Sequence, residues 1–241
     1  MEVAVDLTRD LDRAPDLDRA RHLDLDQIRQ RVAPTALARE QTMPVSADLA
    51  ALFPERALVR GRTLACTGPA ATSAAMSLVA ATVIAGSWLA VVDVPTFGLD
   101  AASETGIPLE RVVAISTEVD PASAGWIEVM AAAADGFDIV LSRQPAHQPV
   151  TESALRRLST RIRQRGAVVV LIDDRSQMDI PGTKRIEMEC DGVVETSIVS
   201  WSGIGSGHGH LQQRTLDLSA SGRRLPGRRQ CRLVEVRHDV A

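Results

Sequence analysis

The chain has 241 residues, 45% of them apolar and only 2% aromatic, with a formal net charge of −4. That length supports one sizeable core; there is no long uninterrupted apolar run and no basic start leading into an apolar block, so a spanning helix and a signal peptide are excluded and the chain reads as soluble and cytoplasmic. Cys66, Cys190 and Cys231 lie far apart without C-x-x-C spacing, which argues against a disulfide framework or zinc knuckle and leaves core-packing thiols.

From Met1 to about Leu25, Leu-Asp pairs recur around Pro15 with too little apolar area to fold alone. Leu25, Ile28 and Val32 then share one face at helical spacing, so residues 1–46 read as an acidic arm and linker with an amphipathic helix from about Leu23 to Val32. "ADLAALFP", Ala47 to Pro54, reads as a short helix leading into the core.

Residues 47–200 alternate strand-like and helix-like segments, the pattern of an α/β fold with a mostly parallel sheet flanked by helices. Strands are expected at Thr63 to Thr67, Trp88 to Val94, Val112 to Ser116, Phe137 to Ser142 and Ala167 to Asp173, all apolar runs with little alternation. Helices are expected at about Ser73 to Ile84, Leu99 to Thr105, Ala122 to Ala134 and Glu152 to Arg165. The last carries Leu155, Leu158 and Ile162 on its buried stripe and stops at Gly166.

Beyond Asp174 the pattern turns antiparallel. Lys184 to Cys190 and Val193 to Val199 alternate around Asp191-Gly192, which predicts a hairpin. Residues 201–241 then read as a glycine-rich loop, "WSGIGSGHGH", and an Arg-rich hairpin and tail with strands at Arg214 to Ser219 and Arg229 to Val236. The loop lacks the interleaved basic and aromatic residues of a single-strand reader, so it is expected to be a connector. His208 and His210 do not make a metal site without further ligands.

Gly68-Pro69 follows the first core strand and precedes a small-residue helix, which is where a phosphate loop would sit. Such a loop needs G-x-x-x-x-G-K-S/T, with backbone amides on the phosphates, a lysine to neutralise them and a hydroxyl for Mg²⁺. Gly68 fits the first position, but Ser73, Ala74 and Ala75 stand where the second glycine, the lysine and the hydroxyl belong. The sequence has one lysine, Lys184, so no other lysine can substitute. The acid expected at the end of a later strand is replaced by Ser142, and Asp93 is the best surviving carboxylate. No nucleotide cofactor, metal or catalytic residue is therefore expected.

The segments "LVRGRTLACTGPAATSAA", "WLAVVDVPTFGLDAASETGIPLERVVAIS", "GFDIVLSRQP" and "RQRGAVVVLIDD" are similar, in order and spacing, to the strand and loop segments of the RecA recombinase core, over about Leu58 to Val199. Where RecA-type proteins carry a catalytic glutamate after the second strand, this chain has Pro95. With its acidic arm, degenerate phosphate loop and Arg-rich tail, the chain most resembles the ImuA-prime (ImuA') family, accessory proteins of SOS-induced mutagenic DNA synthesis. The resemblance implies a non-catalytic scaffold in translesion synthesis, with an ImuB-like polymerase homologue and an error-prone polymerase as partners and no membrane association. It also implies self-association into a homo-oligomer through the arm around Leu25, Ile28 and Val32, and ImuB contact on Arg214 to Ala241.

Within that stretch, Arg214 and the cluster Arg223, Arg224, Arg228, Arg229 and Arg232 are the candidate partner-binding residues, since arginine's planar fork grips carboxylate or phosphate. An acidic protein surface is the expected target, with DNA contact indirect or weak. No Ser-His-Asp or Cys-His constellation is visible, and Asp173-Asp174 reads as a pair of loop acids at a strand end. Two rival readings remain: a DNA-dependent ATPase with unorthodox loop chemistry, and a stress-induced cell-division regulator of the SulA-like type, because some such inhibitors share a degenerate RecA-like core.

Overall fold

The apolar runs between Thr63 and Asp173 lack alternation because both faces of their sheet are covered. In the computed structural model, residues 41–117, 125–143, 150–173, 190–205 and 208–236 are described. Eight strands form one sheet in the order β10-β9-β8-β3-β7-β6-β4-β5. The central strand β3 (Thr63–Thr67) has β7 (Val168–Asp173) on one side and β8 (Gly192–Gly205) on the other, both parallel to it. Beyond β7 come β6 (Ile139–Ser142), β4 (Leu89–Val92) and the edge strand β5 (Val112–Ile115), all parallel. On the other wing, β9 (His208–Gly222) and β10 (Leu225–Val236) extend the same sheet antiparallel to β8 and to each other. The fold is thus mixed α/β with a mostly parallel sheet and a C-terminal antiparallel hairpin.

Successive residues of each inner strand face opposite cores. Leu64 and Cys66 pack with α1 (Ala71–Ile84), α2 (Leu99–Glu104) and the segment from Met43 to Leu58, while Ala65 packs with α3 (Trp126–Gly136) and α4 (Glu152–Arg165) on the opposite face. In α1, Ala74, Ala75, Leu78, Val79 and Val83 are all fully buried. Helix α4 is amphipathic: Thr151 caps it by accepting from the Ala154 amide, and Gly166 ends it at φ +75°, a conformation that favours glycine. The remaining pieces are a two-stranded ribbon, β1 (Thr42–Met43) with β2 (Leu58–Val59), and two short 3₁₀ turns, Ala50–Leu52 and Leu109–Arg111. Among the described residues no helix is long and apolar enough to cross a membrane.

The strands and helices expected between Thr63 and Asp173 are present with shifted ends: β4, β5, β6 and α2 are shorter and α1 begins two residues earlier, while β9 and β10 run longer than expected. Trp88 is half-exposed and Asp93 turns out of the sheet at φ +52°, so β4 is shorter than its apolar run. Helix α3 is described from Trp126, and residues 118–124 before it lie outside the described residues.

Two expectations are corrected. Gly192 opens strand β8 instead of turning a hairpin: Val193 to Glu195 have β3 on one flank and β9 on the other. The partner strand expected from Lys184 lies, up to Glu189, outside the described residues. The described part of the glycine-rich segment is strand, not connector loop: β8 runs to Gly205 and β9 starts at His208, with Ile204 paired to Gly209 and Gly205 to His208. The arm with Leu25, Ile28 and Val32, together with Lys184 and Asp174, lies outside the described residues.

Candidate functional site

The turn after β3 shows what each phosphate-loop position does now. Gly68 adopts φ +95°, and a Cβ built there would stand 2.3 Å from the backbone oxygen of Thr196 on the adjoining strand β8. The glycine is therefore demanded by close backbone approach. The buried Thr196 hydroxyl accepts from the Ala70 amide at 3.2 Å and donates to the Thr67 carbonyl at 2.9 Å. A backbone amide that a phosphate loop would turn toward its ligand is here satisfied from inside the protein. Pro69 is exposed at the turn.

Ala74 and Ala75, at the lysine and hydroxyl places, are each 0% exposed. A lysine at position 74 would have to enter the packed core, so the space for the missing cation is closed as well as its side chain absent.

Ser73, in the first turn of α1, is tied to the C-terminal strands. Its Oγ donates to Glu235 Oε1 and accepts from Arg214 Nη2 at 2.6 Å, and Arg214 Nε donates to Glu235 Oε2 at 2.7 Å. Strand register explains this meeting. Trp201 on β8 pairs with Arg214 on β9, which pairs with Glu235 on β10, so the three side chains form one row across the sheet face that α1 covers. The Arg214 guanidinium lies 5.2 Å from the Trp201 ring centroid, within cation–π range.

Ser142 ends β6 fully buried, and its Oγ accepts from the Trp126 indole N–H at 2.9 Å. A packing contact thus occupies the place of the lost acid. Asp93 points its carboxylate at the neighbouring strand end, accepting from the Thr117 amide at 2.8 Å and from the Thr117 hydroxyl. Asp173 stands at the end of β7, paired in register with Thr67.

The clustered arginines are largely bound to carboxylates of their own sheet. Arg223 and Arg224, at the β9–β10 turn, both face the buried Asp191, at 3.5 and 3.2 Å. Arg228 pairs with Glu195 at 3.3 Å, and Arg232 grips Asp217 with two nitrogens at 2.8 and 3.2 Å. That grip holds the Asp217 carboxyl below its ordinary range. The Nε of Arg229 is buried without a hydrogen-bond partner among the described residues. Asp191 further accepts from the Thr63 amide at 3.1 Å, so it anchors the start of β8 to the start of β3 while neutralising two arginines.

Among the described residues no cluster of three or more His, Cys, Asp or Glu could hold a metal ion. The row Trp201–Arg214–Glu235 and the seal by Thr196 could not be found in the sequence, because both depend on the register of β8, which the supposed Asp191-Gly192 hairpin would have displaced.

No curated protein matches the chain. A family model does, over residues 51–177, which run from the 3₁₀ turn before β2 through all four helices and β3 to β7. The chain therefore belongs to the family described as the MT3502 N-terminal domain.

Proposed function

We propose that this protein is a non-hydrolytic scaffold with a RecA-like core, of the ImuA-prime (ImuA') type, serving SOS-induced mutagenic translesion synthesis beside an ImuB-like polymerase homologue and an error-prone polymerase. The observation that carries the reading is the sealed turn. The Ala70 amide is taken by Thr196, and Ser73 is held by Glu235 and Arg214, so the groups that would grip a triphosphate are engaged by the protein itself. The first turn of α1 also faces the Arg214–Glu235 ion pair, whose cation is already engaged, where phosphate binding needs positive potential.

The pairing of Arg223, Arg224, Arg228 and Arg232 with internal acids supports protein contact over nucleic-acid contact on the C-terminal strands. Counterion release on DNA requires uncompensated cations. Self-association through Leu25, Ile28 and Val32 of the arm belongs to the same proposal. Affinity purification of the tagged chain from DNA-damaged cells is expected to retain the ImuB-like partner, and the purified chain is expected to release no phosphate from ATP with single-stranded DNA present. DNA-stimulated hydrolysis would replace the scaffold by an ATPase. Filamentous growth on induction with an unchanged mutation frequency would replace it by a division regulator.

A further inference from the structure

A groove of about 620 Å³ opens between the first turns of α1, the end of α2 and the far ends of β8, β9 and β10. Its lining combines Met76, Trp201, Arg214, Leu233, Glu235 and Val236. Trp201, 48% exposed, stands in this groove, while Val234 and Val236, which flank Glu235 in the edge strand β10, alternate to the opposite sheet face at the groove's rim. The first two features of a binding hot spot, a half-exposed tryptophan and an arginine stacked on it, are already held in place before any partner arrives. Arg214 is fixed by Glu235 and Ser73, so the tryptophan face is presented at little further entropic cost.

Among the described lining residues the unpaired charge has one sign. Arg214, the cation of the lining, is neutralised by Glu235. Asp48 and Glu104 stand in the groove wall and form no ion pair among the described residues. An anionic ligand, nucleotide or nucleic acid, would meet uncompensated carboxylates, whereas a cationic one would complete them.

We propose that this groove docks a short segment of another protein that inserts apolar side chains against Trp201 and carries arginine or lysine beside them to meet Asp48 and Glu104. This rests on the scaffold reading and gives it a surface: the site of protein contact lies at the Trp201–Arg214–Glu235 row, and the self-paired arginines of the β9–β10 turn are peripheral to it.

The test uses the full chain and two synthetic fluorescein-labelled amphipathic peptides with the same leucine stripe, one flanked by arginines and the other by glutamates. Anisotropy titration is expected to show the arginine-flanked peptide binding at least about tenfold more tightly. Trp201→Ala is expected to weaken it about tenfold or more. The position is half-exposed, so thermal melting can verify that the variant is folded. Joint replacement Asp48→Lys with Glu104→Lys is expected to reverse the preference toward the glutamate-flanked peptide. Equal binding of the two peptides, or binding indifferent to Trp201→Ala, overturns the proposal. So does sedimentation showing that this variant abolishes self-association while peptide binding persists, since a second copy would then be the occupant. If peptide preference holds while no polymerase partner co-purifies, the translesion reading falls and the groove stands. The converse result sinks the groove alone.

Discussion

Gly68 is where the phosphate loop expected from the sequence and the structure give different reasons for one residue. Replacing it with alanine places a side chain at φ +95°, which costs about 1–2 kcal/mol for an ordinary L-residue. The new Cβ would also lie 2.3 Å from the Thr196 backbone oxygen, so β8 must move away. That movement puts at risk the two hydrogen bonds of the Thr196 hydroxyl, worth about 1 kcal/mol each. The total expected is about 3 kcal/mol, a large share of the roughly 5–15 kcal/mol that holds a domain together. For a chain of this size it corresponds to a fall in Tm of roughly 6–12 °C. Gly227→Ala is the control: φ there is +75° but nothing lies within 4 Å of the built Cβ, so only the conformational cost of about 1 kcal/mol remains. Urea denaturation of both variants, followed by far-UV circular dichroism, reads the difference directly. Thr196→Val is expected to cost about 1–3 kcal/mol by leaving the Ala70 amide unsatisfied, and to combine with Gly68→Ala less than additively because the two share those bonds. A Gly68→Ala variant no less stable than Gly227→Ala would refute the idea that close approach to Thr196, and not phosphate, is what requires glycine here.

Ser142→Ala is expected to cost about 1–3 kcal/mol because the buried hydrogen bond from the Trp126 indole N–H to Ser142 is lost, with a shift in tryptophan emission; wild-type stability in chemical denaturation would count against that bond. Ser142→Asp, which rebuilds the acid of a nucleotide site, is expected to destabilise further by burying a charge and to yield no phosphate release. Asp135, hydrogen-bonded to Arg161 and near Arg165, has its carboxyl pulled from the ordinary 3.8 down to about 2, so its stabilising contribution is complete above the ordinary value and lost as pH falls through the lower one. Asp135→Asn should therefore be less stable than the parent at neutral pH, with the gap closing on acidification toward pH 2 and shrinking in salt; a pH-independent gap in melting temperature contradicts the pairing. Burial pushes the Cys66 thiol up beyond its ordinary range, and burial with the Asp48 and Asp217 charges pushes Cys231 up to about 11. With Cys190 also buried, a thiol reagent at pH 8 is expected to label the native protein slowly and all three cysteines on denaturation; rapid native labelling would show that one of them is reachable.

The parallel half of the fold was legible because its signals are local. An apolar run without alternation marks a strand covered on both faces, and β3 matches its expected bounds from Thr63 to Thr67. Helix α4 matches from Glu152 to Arg165 because its stripe, its Thr151 cap and its Gly166 stop all lie within the segment. The antiparallel half was only partly legible. The alternation of β9 and β10 was visible, but Asp191-Gly192 is an equally good turn signal or strand start, and what decides is the availability of β3 and β9 as neighbours. The glycines of 201–210 suggested a loop for the same reason: composition registers backbone freedom, while pairing across a hairpin is a property of register. At the site, the sequence disclosed which groups are missing. It could not disclose what replaced them, since Thr196, Arg214 and Glu235 reach the turn only through strand pairings with residues far along the chain.

The replacement has an electrostatic consequence that absence alone does not carry. A helix start that has merely lost its lysine still offers backbone amides and a partial positive charge, and would retain some attraction for an anion. Here the Ser73 hydroxyl in the first turn of α1 is bonded to Glu235, which is paired with Arg214 in a partly buried setting. A triphosphate approaching that turn must either displace the C-terminal strands from α1 or settle beside an ion pair whose cation is already engaged, and both cost free energy. The same carboxylate orients Arg214 beneath Trp201, which is what presents the apolar floor of the groove. On the proposed reading, the sealed turn and the presented Trp201 face are one arrangement of three side chains, so a substitution that loosens Glu235 should disturb both together.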